Sequence, residues 1–242
     1  MFELRGKRVL ITGSTQGIGL SIAKCFASRG AKIYINGATS MEKCIKAAKT
    51  VPESEIAFVN LLDNDCADRL YEITGDIDIL VLNASIQYRK EWDGITSEEF
   101  DNQIKVNLKS GLELIQKYVP YMKNQHWGRI LTIGSVQQHK PHKDMLIYAA
   151  SKTAQMNMVI NLAQQLAPHG ITVNNIAPGV INTPRNYDAL ADKEYSKTVL
   201  SKIPCGYAGD ESACDGAALL LCSEAGKYIT GIDLMVDGGM HL

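Results

Sequence analysis

The apolar run Arg8–Thr12 leads straight into Gly13-Ser14-Thr15-Gln16-Gly17-Ile18-Gly19, and a helical stretch begins inside that turn. Strand, glycine-rich turn and helix in this order constrain the chain more than any other feature. Glycines let the backbone turn tightly and come close to a phosphate, and the helix start supplies free N–H groups and the positive end of its dipole. Ile18, Ile22 and Phe26, with Ala23 and Ala27 beside them, give the helix an apolar stripe that needs a sheet to pack on. The spacing is Gly-x3-Gly-x-Gly, which differs from the commoner Gly-x-Gly-x-x-Gly dinucleotide fingerprint. Taken alone, the turn is equally compatible with a tight bend that binds nothing.

The same alternation runs on. Strands are expected at Arg8–Thr12, Lys32–Asn36, Ile56–Asn60, Ile77–Asn83, Arg129–Gly134, Thr172–Ala177 and Asp233–Val236. Most are nearly continuous apolar runs, as strands covered on both faces require. Thr96 with Glu99 has the spacing of a capping box and opens a long helix toward Asn124, in which Pro120 predicts a kink or an early end. This pattern predicts an α/β fold: a single Rossmann-type, doubly wound domain over residues 1–242 with a roughly seven-stranded parallel sheet. Ligands then belong at the carboxyl ends of the strands.

Composition narrows the partners. Twenty-five Lys and Arg against 26 Asp and Glu give a net charge of −1, which provides no global field for nucleic acid or an anionic membrane. No apolar run approaches the roughly 20 residues a membrane span needs. The N-terminus has charges and no apolar core of the signal-peptide kind, so a cytoplasmic chain with reduced cysteines is expected. Neither the cysteine nor the histidine spacing suggests a metal site.

Further motifs follow the glycine turn. Asn107 stands in Val-Asn-Leu, Ser135 follows the fifth strand, and Tyr148-Ala-Ala-Ser-Lys152 places tyrosine and lysine four residues apart on one helix face. Pro178-Gly179-Val180-Ile181-Asn182-Thr183 and Val236-Asp237-Gly238-Gly239 complete the set. Together with the turn, these motifs resemble the short-chain dehydrogenase/reductase family, with its Tyr-x-x-x-Lys and Pro-Gly-x-x-x-Thr, over essentially the whole chain. The resemblance implies an NAD(P)-dependent oxidoreductase acting on CH–OH groups, with Asn107, Ser135, Tyr148 and Lys152 catalytic. A phenol is a poor base at neutral pH, and a neighbouring ammonium favours the phenolate. Tyr148 is thus expected to exchange a proton with the substrate oxygen, Ser135 to hydrogen-bond that oxygen, Lys152 to hold the nicotinamide ribose, and Asn107 to support a proton relay through water.

The resemblance also implies where the cofactor is held. Contacts are expected from Gly13, Thr15, Gln16, Gly17, Ile18 and Gly19, from Asn36, Ala38 and Thr39, from Asn60 and Leu61, from Asn83, Ala84 and Ser85, from Tyr148 and Lys152, and from Pro178, Gly179, Ile181 and Thr183. Gly37 and Ala38 replace the acidic residue that binds the ribose of NAD and the arginine that binds the 2′-phosphate of NADP. Nothing repels a 2′-phosphate, and Thr39 and Ser40 carry hydroxyls, so NAD(P) with a tilt toward NADP is expected. Ser85 stands where the family has glycine, which puts the geometry of that loop in question.

Ser85-Ile86-Gln87-Tyr88-Arg89-Lys90 resembles a stretch of the gluconate 5-dehydrogenases, a branch of the family. Arg89 offers a fork suited to a carboxylate. Gln87 and Gln138 offer amides for sugar hydroxyls, alongside Ser135 and Tyr148. The expected substrate is therefore a sugar acid or polyol, with a 3-oxoacyl-acyl-carrier-protein reductase as the enzyme alternative and a dinucleotide sensor or scaffold as the non-enzyme one. A carrier protein is acidic and would need a basic patch, for which Arg129 with Lys123 is the candidate. Residues 182–206 correspond to the family's mobile lid. The resemblance further implies a homotetramer, with Met240-His241-Leu242 reaching a neighbouring subunit.

Overall fold

The computed structural model describes residues 1–242. Seven strands form one sheet: β1 (Arg8–Ile11), β2 (Lys32–Gly37), β3 (Ser54–Phe58), β4 (Ile79–Leu82), β5 (Gly128–Ile133), β6 (Ile171–Pro178) and β7 (Asp233–Val236). All neighbours are parallel, in the order β3-β2-β1-β4-β5-β6-β7. Every expected strand is present, with ends displaced by at most two residues. The apolar runs hide a period of two. Leu10, Leu80, Ile130 and Val173 point into one core layer, whereas Val9, Ile11, Ile79, Val81, Leu131 and Ile176 point into the other.

The first layer is covered by α3 (Cys66–Thr74), α5 (Ser110–Asn124) and α6 (Leu146–Leu166), and the second by α1 (Gly17–Ala27), α2 (Met41–Ala48) and α9 (Asp215–Cys222). Two further helices, α7 (Tyr187–Ala191) and α8 (Lys193–Leu200), lie between β6 and α9. The remaining helix is α4 (Ser97–Ile104), which opens with the capping box expected from Thr96 and Glu99.

The helical stretch from Thr96 reaches Asn124 but is not uniform. One π-helical turn, Lys105–Lys109, separates α4 from α5 and carries Asn107. Pro120 does not end α5, which runs on to Asn124. It removes one hydrogen bond, while buried Val119 and Met122 on either side hold the last turn against the sheet. No helix is long and apolar enough to cross a membrane.

Strand order reverses between β1 and β4. In open parallel sheets, the crevice for a ligand opens at the carboxyl ends of the two strands where that happens. The loops leaving β1 and β4 begin with Thr12-Gly13 and Asn83-Ala84, so topology alone brings the glycine turn against the 83–85 loop.

Candidate active site

Gly13 and Gly17 occupy the left-handed region, at φ 63° and 59°. A Cβ on Gly13 would lie 2.9 Å from Ala84 Cα, and one on Gly19 would lie 2.5 Å from Asn83 Nδ2. The turn therefore closes on the 83–84 loop with no room for side chains. Asn83 Nδ2 donates to the Thr12 and Gly13 carbonyls at 2.9 and 3.0 Å, and the Asn83 and Ala84 N–H groups both donate to Thr12 Oγ1 at 3.0 Å. Gln16, at the N-cap of α1, caps no amide with its side chain, and the first turn of α1 holds no acid. The start of α1 thus presents backbone donors to an anion, which fits the pyrophosphate of a dinucleotide. Thr183 packs over the same turn: its Cγ2 would be 3.3 Å from a Cβ on Gly17.

Several expected cofactor residues turn out to hold the cradle together. The Asn36 side-chain oxygen accepts the Gly13 N–H at 3.1 Å, and its Nδ2 donates to the Ala57 and Val59 carbonyls. Buried at both ends, Asn36 fixes the glycine turn to β2 and β3. Leu61 is buried in the core. Asn60 closes its own turn by accepting the Leu62 N–H. Gly37 has no space for a side chain, because a Cβ would lie 2.7 Å from both Cys44 Sγ and Thr15 Cγ2. Ala38 and Thr39 are exposed beside it. Gly179 is similarly confined, 2.7 Å from Asp237 Cα by the same measure, and Pro178 ends β6. Ile181 is buried and bridges to Gly209.

Lys152 is the deepest charged group of the site, 1% exposed. Its Nζ donates to the Ile133 carbonyl at 2.6 Å and to Gln155 Oε1 at 3.1 Å. No carboxylate pairs with it, so burial, and secondarily the Arg185 guanidinium, push its ammonium down to about 7. Its Nζ lies 5.8 Å from the Tyr148 ring centroid, one turn back along α6. The Tyr148 ring is buried, while its hydroxyl is neither sealed from solvent nor bonded within the chain. Ser135 ends the loop after β5, and its Oγ accepts the Gln137 N–H at 3.2 Å. That bond occupies an acceptor position and leaves the Ser135 O–H free to donate.

Asn107 is brought to this group by the π turn. Its Oδ1 accepts the Ile86 N–H at 2.9 Å, and its Nδ2 donates to the Ile86 carbonyl and to Ser151 Oγ at 3.0 and 3.1 Å. The amide pins the loop after β4 to α6. The relay expected of it has no side-chain N–H left to run through, and one Oδ1 lone pair remains for a water. Gln138 is also engaged at both ends: Oε1 accepts the Ser135 N–H at 3.2 Å and Nε2 donates to Asp233 Oδ2 at 2.5 Å. Its expected role toward a sugar hydroxyl gives way to one inside the protein.

The loop after β4 is also tied down by Lys90, whose Nζ meets Glu99 at 2.7 Å. Gln87 and Arg89 stay available. Arg89 forms no ion pair and reaches only the Tyr195 hydroxyl of α8, at 3.5 Å. Ser85 has a use that its replacement of glycine did not foretell. Its hydroxyl and carbonyl accept from Arg185 at 3.1 and 2.7 Å. Arg185 was absent from the sequence expectations, although an arginine beside the Thr183-Pro184 pair was a visible signal. Arg129, by contrast, is 2% exposed and bonds to the Gly128, Gly170 and Ser223 carbonyls and to Glu224. It cannot form the basic patch suggested for it, because a guanidinium at the buried start of β5 is occupied with carbonyls and the Glu224 carboxylate. Met240 and Leu242 carbonyls accept from Lys140 Nζ of the same chain, and His241 bonds Asp237.

A family model described as enoyl-(acyl carrier protein) reductase matches residues 13–241. A 3β-hydroxysteroid dehydrogenase of Eggerthella lenta is 32% identical over 249 residues, spanning 99% of this chain and 95% of its own. The chain belongs to the short-chain dehydrogenase/reductase family. It is an oxidoreductase of the kind that acts on CH–OH groups. Other members of the family lie equally near. A 3-oxoacyl-(acyl-carrier-protein) reductase of Aquifex aeolicus is 34% identical over 98% of both chains. The crystal structure of a gluconate 5-dehydrogenase of Burkholderia cenocepacia, in complex with NADP and tartrate, superposes with a TM-score of 0.90 at 32% identity, over 99% of this chain and 96% of that one. A steroid, an acyl-carrier thioester and a sugar acid thus appear at comparable identity.

Proposed function

We propose that this enzyme interconverts a secondary alcohol and a ketone on a sugar acid or polyol, with NADP as its preferred cofactor. The observation that carries the reaction is the arrangement around Lys152. A buried lysine without a carboxylate, one turn from a tyrosine whose hydroxyl is unpartnered, carries a desolvation cost that its bonds to the Ile133 carbonyl and Gln155 do not explain. A bound nicotinamide supplies or receives the hydride. Tyr148 gives the proton to the carbonyl oxygen in reduction and takes it from the alcohol in oxidation. Ser135 donates its free O–H to the same oxygen as charge develops there. Lys152 sets the electrostatics of the phenol and directs its remaining N–H toward the cofactor ribose.

The sugar-acid reading is supported by two guanidinium groups without carboxylate partners, Arg89 on the loop after β4 and Arg185 across from it. An unpaired arginine pair beside a site matches an anionic substrate, and a planar fork binds a carboxylate with two parallel bonds. The relative crystallised with NADP and tartrate, a hydroxylated diacid, agrees with both parts of the proposal. The carrier-protein alternative loses its basic patch with the burial of Arg129. Residues 182–206 act as the lid: Arg185 bonded to Ser85, and Tyr195 meeting Arg89, tie this segment to the substrate loop. The working assembly is a homotetramer, as the family resemblance suggests.

The test is nicotinamide absorbance with NADPH or NADH against 5-keto-D-gluconate, an uncharged polyol ketone and acetoacetyl-coenzyme A. The keto acid with NADPH is expected to give the highest kcat/KM. Tyr148→Phe should lower turnover by about 10²–10⁴-fold with cofactor affinity kept. Near wild-type turnover in that variant would remove the reaction. A thioester preferred over the keto acid would remove the substrate class.

A further inference from the structure

A row of polar side chains crosses the carboxyl side of the sheet toward Ser135. Thr132 of β5 pairs in register with Asn175 of β6, and Asn175 with Asp233 of β7. Thr132 Oγ1 donates to Asn175 Oδ1 at 2.5 Å, and Asn175 Nδ2 donates to Asp233 Oδ1 at 2.6 Å. The other carboxylate oxygen of Asp233 faces the 135–139 turn. It accepts Gln138 Nε2 at 2.5 Å and lies 2.6 Å from His139 Nε2. Gln138 Oε1 then takes the Ser135 N–H. Thr132 and Asn175 are wholly buried. Apolar side chains such as Ile133, Val173 and Ile176 stand beside them, and residues of that kind would fill the same positions without desolvating an amide and a hydroxyl.

The backbone is shaped around this row. A Cβ on Gly134 would lie 2.5 Å from both Asn175 Nδ2 and Gln138 Oε1, so only glycine lets the two amides stand on either side of the chain just before Ser135. The carboxylate decides which way Gln138 points. Asp233 accepts only, which turns Nε2 toward it and Oε1 toward Ser135. With its N–H fixed by Gln138 and its Oγ fixed by the Gln137 N–H, Ser135 keeps one free direction, that of its own O–H.

We propose that Gln138 and Asp233 are positioning residues for this reaction, holding Ser135 so that its hydroxyl meets the substrate oxygen. The proposal rests on the reading of Ser135 as the group that touches that oxygen. It goes beyond that reading in assigning function to a pair that contacts neither substrate nor cofactor.

A reciprocal exchange separates positioning from mere packing. Gln138→Glu sets two carboxylates against each other, and Asp233→Asn sets its amide against that of Gln138 or of Asn175. The double variant Gln138→Glu/Asp233→Asn restores the bonds that run from Ser135 to Asn175, and keeps the His139 contact only with the other imidazole tautomer. Its carboxylate, now on the 135–139 turn, accepts from the Ser135 N–H and from the amide now on β7, whose oxygen accepts from Asn175. kcat and KM are measured with NADPH on 5-keto-D-gluconate and on acetoacetyl-coenzyme A, with melting followed by circular dichroism. Gln138→Glu and Gln138→Ala should lose about 10- to 100-fold in kcat on whichever ketone the wild type reduces, with KM for NADPH within about twofold and a protein that still melts cooperatively above the assay temperature. The double variant should return to within about threefold of the wild type. Wild-type kcat in Gln138→Ala, or a folded double variant no faster than Gln138→Glu, would overturn the proposal. If Asp233→Asn does not fold, Gln138→Ala decides alone. A wild type that reduces only the thioester refutes the sugar-acid reading and leaves the positioning measured on that substrate.

Discussion

Lys152 must be charged to favour the phenolate of its neighbour, yet it sits where charge is costly. Burial and, after it, Arg185 bring its ammonium to about 7, so its protonation changes within the working range of most enzymes. In ketone reduction the site must deliver a proton. kcat/KM should therefore be highest below about 7 and fall as pH rises through that value. Arg185→Gln removes a like charge facing the lysine, which favours the ammonium and moves the falling limb to higher pH. Profiles of kcat/KM between pH 5.5 and 9 for wild type and variant check this. A limb that stays in place would mean that Arg185 does not act on Lys152. The same profile distinguishes its two expected roles, since loss of a substrate carboxylate contact raises KM at every pH while loss of the charge effect shifts the limb.

At the level of elements, cofactor choice is proposed to lie at the end of β2. Cys44 and Thr15 leave no room for a side chain on Gly37, so an acid that would bind ribose hydroxyls cannot be accommodated there. Ala38 next to it is exposed and tolerant. Ala38→Asp should raise KM for NADP more than about tenfold by like-charge repulsion of the 2′-phosphate, with KM for NAD unchanged or lower. Equal changes for both cofactors would mean that the phosphate lies elsewhere. These elements were largely legible in the sequence, because a parallel strand covered on both faces tends to a continuous apolar run, as β1 and β4 show, while polar residues interrupt β3, β5 and β6. The π turn at Lys105–Lys109 was not, since one extra residue leaves the apolar pattern of a helix almost untouched. The residues proposed as catalytic were legible in the sequence through their resemblance to the family's motifs. The partners of Asn36, Asn107 and Gln138 were not, because a polar residue announces that it needs bonds and not with whom: Gln138 meets Asp233 across 95 residues of chain. The spacing Ser135-x-x-Gln138 is nevertheless that of a capping box, and both of its bonds are present.

For the molecule as a whole, the face built from α1 and α9 carries a titratable weakness. Asp215, in the first turn of α9, accepts from Ser21 Oγ of α1 at 2.9 Å through Oδ2, while its Oδ1 is buried without a partner. Burial raises its carboxyl to about 6, with Asp210 adding to the shift and the Ser21 bond opposing it. In the unfolded chain the same group titrates near 3.9. Between these values the folded state holds the proton more tightly. The contribution to stability is therefore complete below about 4, falls as pH climbs to about 6, and stays lost above it. Asp215→Asn keeps the shape and an acceptor for Ser21 but has no charge to desolvate. The full shift would correspond to nearly 3 kcal/mol; because the group is partly exposed, solvent screening reduces this to about 1–2 kcal/mol. For a chain of this size the variant should melt about 3–6 °C higher than the wild type at pH 8, and the gap should close toward zero at pH 4. Melting curves of both proteins across that range measure it. Parallel pH profiles for the two would show that the α1–α9 contact is held by something other than the protonation of this carboxyl.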